Sequence, residues 1–234
     1  MHFLKPLFNL IFPQNCYICK KTLRADETHL CANCLRKLVL NIGPFCPKCS
    51  RHVYKEDLIC PECNTRKSYL TKTLACFIYT DIFKAILINM KYYNNPFLLK
   101  PLLPFIKRFC IEHFSRIDID IITFVPLHWH KLFFREFDQA FLIAENISKI
   151  LNIPILPLLF KERSTDSQHL LSKKEREQNL QNTFNIIPGS NIDKKTILLI
   201  DDVFTTGNTI NECAKILKRK GAKEVYGFTL ARGI

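Results

Sequence analysis

The chain has 234 residues, 47% of them apolar and 24% charged, with a formal charge of +13. That length suits one ordinary domain plus a small one, and the apolar share supplies a core and excludes wholesale disorder. A charge so strongly positive suits a polyanionic or phosphate-bearing partner. No stretch reaches the ~18 apolar residues that a membrane span needs.

The opening MHFLKPLFNLIF is oily, but Lys5, Pro6 and Asn9 interrupt it, and no small-residue cleavage site follows before Cys16. It reads as a packing segment rather than a signal peptide, which leads us to expect a cytoplasmic protein with reduced thiols. Eight of the eleven cysteines then form four CxxC pairs, Cys16/Cys19, Cys31/Cys34, Cys46/Cys49 and Cys60/Cys63. Two thiolates separated by two residues bind one metal from a tight turn, and two such turns complete a tetrahedral Zn²⁺ site. Four disulfides in a secreted scaffold are the competing reading, opposed by the missing signal segment and by the crowding of the pairs at one end. One or two structural Zn²⁺ ions are expected. Pairing in sequence closes the shorter loops and is preferred, with a cross-braced arrangement left open. Cys76, Cys110 and Cys213 lie among apolar residues and receive no role.

The texture changes near Leu74, so we expect a small zinc-ribbon domain over residues 1–72 and an α/β domain over 73–234. LACFIYT reads as a buried strand, followed by a helix over DIFKAILINMKYY with Asp81 as N-cap. A segment opening at Pro96 turns helical past Pro104, and IDIITFVP reads as a second strand. Asp138 should cap a helix over DQAFLIAENISKIL, whose Ala140, Ala144, Ile147 and Leu151 share a face. PILPLLF, TFNII and TILLI read as strands three to five. The helix NTINECAKILKRKGA buries Ile210, Cys213, Ala214 and Leu217 and stops at Gly221, and EVYGFTLA closes as a strand. Strands alternating with helices predict a mostly parallel sheet, whose ligands bind beyond the carboxyl ends of the strands.

That rule singles out TILLIDDVFTTGNT, residues 196–209. Asp201 and Asp202 should emerge at the carboxyl end of an oily strand, where adjacent carboxylates repel unless something positive or hydroxyl-rich lies between them. A ribose diol, with or without Mg²⁺, meets that need. Thr205, Thr206, Gly207, Asn208 and Thr209 then open a helix, whose outward N–H groups and dipole favour an anion. Acids for sugar hydroxyls followed by a cradle for one phosphate describe a ribose 5-phosphate site.

ILLIDDVFTTGNT resembles the PRPP-binding signature of type I phosphoribosyltransferases, and the whole chain resembles the ComF family, which joins a double zinc ribbon to a phosphoribosyltransferase-like domain and is tied to natural transformation. PLHWHKLFFREFDQA, ERSTDSQHLLSKKEREQNLQNTF and FTLAR carry the rest of the likeness. The resemblance implies that Asp201 and Asp202, the pair expected to serve any catalysis, hold the ribose hydroxyls, while Thr205, Thr206, Gly207 and Thr209 hold the 5-phosphate. It places His128, Lys131 and Arg135 in a pyrophosphate loop, and Arg163, Gln168 and Arg176 in the mobile loop that covers active enzymes of the fold. It also implies Mg²⁺ with PRPP. The chain departs from the family at Arg135–Gln139, where REFDQ replaces a glycine-bearing stretch and adds Glu136 and Asp138 near the pyrophosphate position. Lys91 matches a family position without its following glycine.

Three functions follow. The first is a ComF-like competence protein for DNA uptake, with a PRPP-binding domain and a single-stranded DNA or helicase partner. The second is a nucleobase-salvage phosphoribosyltransferase, for which no base pocket stands out. The third is a non-catalytic zinc-dependent single-stranded DNA-binding module.

Overall fold

The computed structural model describes residues 14–127, 137–162 and 183–233. Its centre is a four-stranded, all-parallel sheet in the order β1 (Lys72–Ile78), β6 (Glu224–Arg232), β5 (Thr196–Phe204), β2 (Ile121–Phe124). The strands are near-continuous apolar runs because helices cover both faces, as the burial of β1 and β5 shows. A separate antiparallel pair, β3 (Leu159–Lys161) with β4 (Phe184–Ile186), lies outside this sheet. PILPLLF therefore contributes less strand than its composition promises. Pro154 and Pro157 lack donors for a ladder, and Ile155 makes a single bridge to Ile122.

On one face lie α3 (Asp81–Tyr92), a 3₁₀ segment over Pro96–Leu102, α4 (Leu103–Phe114) and α5 (Gln139–Leu151). They pack on the even-numbered residues of β5, Leu198 and Ile200, and on Phe228 and Leu230 of β6. On the other face α6 (Asn208–Arg219) lays Ile210, Cys213, Ala214 and Leu217 against Ile197, Leu199 and Val225. This is the predicted stripe, and burying Ile210 and Leu217 contributes about 1.5–3 kcal/mol each. Past its end, Gly221 takes φ +96°. The N–H of Ala222 donates to the Leu217 carbonyl and that of Gly221 to the Lys218 carbonyl, so the helix closes in a Schellman motif.

Two N-terminal assignments separate on inspection. Asp138 caps α5 as expected, its Oδ1 accepting from the N–H groups of Ala140 and Phe141 at 2.8 and 3.2 Å. Asp81 instead occupies the first helical position of α3, and Thr80 is the N-cap. An acid there still faces the positive end of the helix dipole, which explains the sequence signal without a cap bond.

The cysteine-rich region is fastened to the sheet. The linker between its halves runs beside β1, with a bridge between Leu40 and Phe77. Buried Asn41 donates from Nδ2 to the carbonyls of Ser50 and Ala75, at 2.8 and 3.2 Å, and Ser50 Oγ accepts from Ala75 N–H at 2.8 Å. The first cysteine cluster joins the apolar body formed by α3, α4 and β1, and the second joins the body containing Leu70, Phe204 and α6.

Candidate functional site

The eight paired cysteines gather in two groups, Cys16, Cys19, Cys31 and Cys34, and Cys46, Cys49, Cys60 and Cys63, with all sulfurs of a group within 4.8 Å of one another. Pairing is sequential, as the loop-length argument favours. The halves repeat one design. The first CxxC turn of each is followed by a residue at positive φ, Lys20 (61°) and Ser50 (59°), and is flanked by an antiparallel bridge. The second opens a short helix, α1 (Ala32–Arg36) or α2 (Pro61–Asn64). Sulfur separations of 3.7 Å (Cys16–Cys34), 3.5 Å (Cys19–Cys31) and 3.7 Å (Cys49–Cys60) are far beyond a disulfide. They match the edge of a tetrahedron with metal–sulfur distances of about 2.3 Å, which is about 3.8 Å.

The donor chemistry asks for a cation. Burial alone would raise the Cys16 thiol, but N–H groups of Cys19, Cys31 and Ile18 hold it down at about 7. Burial and the neighbouring cysteines push Cys34 and Cys63 well up. Four such sulfurs become thiolates together only around a metal. Both groups fit structural Zn²⁺, with all four positions filled by protein and none left for a substrate.

At the other end of the chain β5 runs through both acids to Phe204, four residues past the predicted TILLI. The acids therefore sit inside the strand near its carboxyl end rather than beyond it, and strand alternation sends them to opposite faces. Asp202 shares the even face and pairs with Lys91 of α3. Asp201 shares the odd face with Cys213 of α6 and accepts from the Asp202 N–H at 2.9 Å. Burial and the Asp202 charge push Asp201 up to about 8, against the smaller pull of Lys91. Asp138 adds a third carboxylate. Its Oδ2 accepts from Leu127 N–H at 3.2 Å, and burial raises its pKa with a contribution from Asp202. Asp138 thus ties the loop after β2 to α5 instead of standing free as an acid. Among the described residues three carboxylates meet one ammonium here, and adjacent carboxylates call for positive charge or hydroxyl donors between them.

The turn that follows is the opposite in character. Thr205 and Thr206 are exposed, and Gly207 takes φ +77° as the N-cap of α6. Glycine is required there twice over, since a Cβ would also lie 2.2 Å from the Phe204 ring. Having no side chain, Gly207 leaves the first N–H groups of a twelve-residue helix without a cap from that position. Asn208 N–H reaches back to Thr206 Oγ1 at 3.4 Å, and Thr209 lies in the first turn, half-buried.

The cysteine-rich region touches this turn directly. Arg66 donates to the Thr206 carbonyl at 3.4 Å, and Asn211 of α6 bonds the Tyr69 N–H (2.8 Å) and the Lys67 carbonyl (3.2 Å). Nothing in the spacing of Arg66 or Asn211 marks them, and Lys91 was marked only as matching a family position, with no contact to the site assigned to it. The loop candidates His128, Lys131, Arg135, Arg163, Gln168 and Arg176 lie outside the described residues. Among the described residues no helix is long and apolar enough to cross a membrane.

Comparison with known proteins agrees with this layout. Residues 7–64 match the model of the double zinc ribbon domain, and residues 138–233 match that of the phosphoribosyl transferase domain. Competence protein F of Haemophilus influenzae is 28% identical over 227 residues, covering 94% of this chain and 98% of its own. The DNA utilization protein YhgH of Escherichia coli is 25% identical, with coverage of 95% and 99%. Competence protein ComFC of Bacillus subtilis is 27% identical, with coverage of 90% and 86%. Among solved structures, an adenine phosphoribosyltransferase aligns with a TM-score of 0.42 at 17% identity, over 65% of this chain and 75% of that one. The chain joins a double zinc ribbon to a parallel-sheet domain of phosphoribosyltransferase type, and its resemblance to the ComF family extends over nearly its whole length.

Proposed function

We propose that the chain serves a ComF-like role in competence and DNA uptake, and that its sheet domain binds PRPP or a closely related ribose 5-phosphate. The observation that carries the binding reading is the change of character along one strand end. Crowded carboxylates at Asp201 and Asp202 need hydroxyl donors or a cation, and the next residues form a glycine-capped, threonine-lined helix N-terminus suited to a dianion. The ribose hydroxyls would donate to the acids. Backbone N–H groups and hydroxyls of Thr205 to Thr209 would take the 5-phosphate. Mg²⁺ would accompany the pyrophosphate and offset its charge. Lys91, which holds Asp202 here, would release it to the diol. The reading concerns binding and assigns no acceptor.

The names of the relatives support a DNA-related role, and the strongly basic chain supports single-stranded DNA or a nucleic-acid-bound helicase as partner. Structural zinc would then hold the ribbon rigid against the sheet.

The test is calorimetric titration of the full-length, zinc-loaded protein with PRPP and Mg²⁺, using ribose 5-phosphate and AMP as controls. Saturable binding that disappears in Asp201→Ala/Asp202→Ala, with zinc content and folding intact, is expected. Equal binding by wild type and variant would remove the acids from the site. For the partner, a gel shift with single-stranded DNA should weaken steeply with salt, and a flat salt response would refute a phosphate-dominated contact.

A further inference from the structure

Between the second ribbon and the threonine turn lies a cavity of about 470 Å³. Thr205 to Asn208 form one wall, so it opens directly from the turn. Five basic side chains line it, Lys48, Arg51, Arg66, Lys67 and Arg232, against one carboxylate, Glu62, and the edge of the second cysteine cluster at Cys49 and Cys63.

Not all of these charges are available. Arg51 is paired with Glu62 at 2.8 Å, and Lys48 donates to the carbonyls of Cys63 and Arg66. Arg66 makes the single long bond to Thr206 already described, and Lys67 sits 5.2 Å from the Tyr69 ring centre. Arg232 is the unusual member. It is 7% exposed and stacked 5.2 Å from the Phe204 ring centre, and one guanidinium nitrogen is spent on the carbonyls of Phe204, Thr205 and Gly233. Its Nε is buried with no hydrogen-bond partner among the described residues. An orphaned guanidinium N–H at that depth is costly, and an anion in the cavity would offset the excess charge around it.

Resting on the reading that the turn holds a ribose 5-phosphate, we propose that this cavity is a second anion site. It takes a further phosphoryl group joined to the 5-phosphate, and the ligand class is a nucleoside 5′-diphosphate rather than a 5′-monophosphate alone. The cavity falls within the ~300–1,000 Å³ range of small-molecule sites. The ribbon supplies Lys48 and Arg51 and the segment just past it Arg66 and Lys67, so the zinc domain becomes part of the binding site rather than a remote attachment.

Calorimetry with AMP and ADP tests this on the full-length, zinc-loaded protein. The wild type should bind ADP about tenfold or more tighter than AMP, the gain expected from one or two charge-assisted hydrogen bonds. Lys67→Ala should bring the ratio near one while AMP affinity and zinc content hold. The Lys67 side chain reaches solvent, and Lys67→Glu, expected to invert the preference, serves as a second variant. AMP binding with no gain from ADP overturns this inference and leaves the turn reading intact. A preference for ADP that survives both variants also overturns it. Failure of both nucleotides to bind overturns this inference, and the PRPP titration then decides the turn reading separately.

Discussion

Gly207→Ala examines the turn at its most constrained point. Alanine at φ +77° enters the left-handed region, at a cost of about 1–2 kcal/mol. Its Cβ would also lie 2.2–2.9 Å from three atoms of the Phe204 ring, closer than any real contact. The ring is buried and stacked by Arg232, so it yields only toward the neighbouring cavity, adding about 1–3 kcal/mol of overpacking. The expected loss is therefore about 2–5 kcal/mol in urea unfolding. Gly207→Ala/Phe204→Ala should cost less than the sum of the two single changes, because the ring is the obstacle. A loss below about 1 kcal/mol, or strictly additive single changes, would mean that the turn does not take this conformation.

The metal centres and the buried acid yield two further predictions. Cys46→Ser should lower the zinc content of the purified protein from two ions per chain to one, since the two clusters share no ligand; two full equivalents would contradict the assignment. Asp201, with its pKa raised to about 8 by burial and Asp202, holds a proton in the folded state that the unfolded chain releases near pH 4. Its contribution to stability therefore falls as pH rises from about 4 to 8. Asp201→Asn should remove that slope, so the variant gains on the wild type in urea midpoint between pH 5 and pH 8, and parallel curves would refute the raised pKa.

Much of this protein is written in local pattern. The CxxC pairs declare tetrahedral metal turns because a two-residue gap is what a knuckle needs. The stripe of Ile210, Cys213, Ala214 and Leu217 declares α6 because 3.6-residue periodicity follows from helix geometry alone. The oily run of TILLI declares a strand buried on both faces, and Asp138 declares the start of α5. The length of β5 was not legible. Asp201 and Asp202 look like a strand's end by polarity, yet pairing with β6 carries the ladder on to Phe204. Strand geometry then divides the acids between two faces, which adjacency in sequence conceals.

What the sequence determined by itself was chemistry at short range: which cysteines pair into metal-ligand turns, which residues form the acid pair, and which glycine-bearing turn opens a helix. Only the tertiary structure decided what surrounds them. Lys91 meets Asp202 across 111 positions, Arg66 meets Thr206 across 140, and Asn41 locks the ribbon to β1. Each is an ordinary polar residue whose partner is remote in the chain, and no local periodicity encodes such a meeting. It exists because parallel strands require long crossovers, and those crossovers bring the ribbon, α3 and the threonine turn to one end of the sheet.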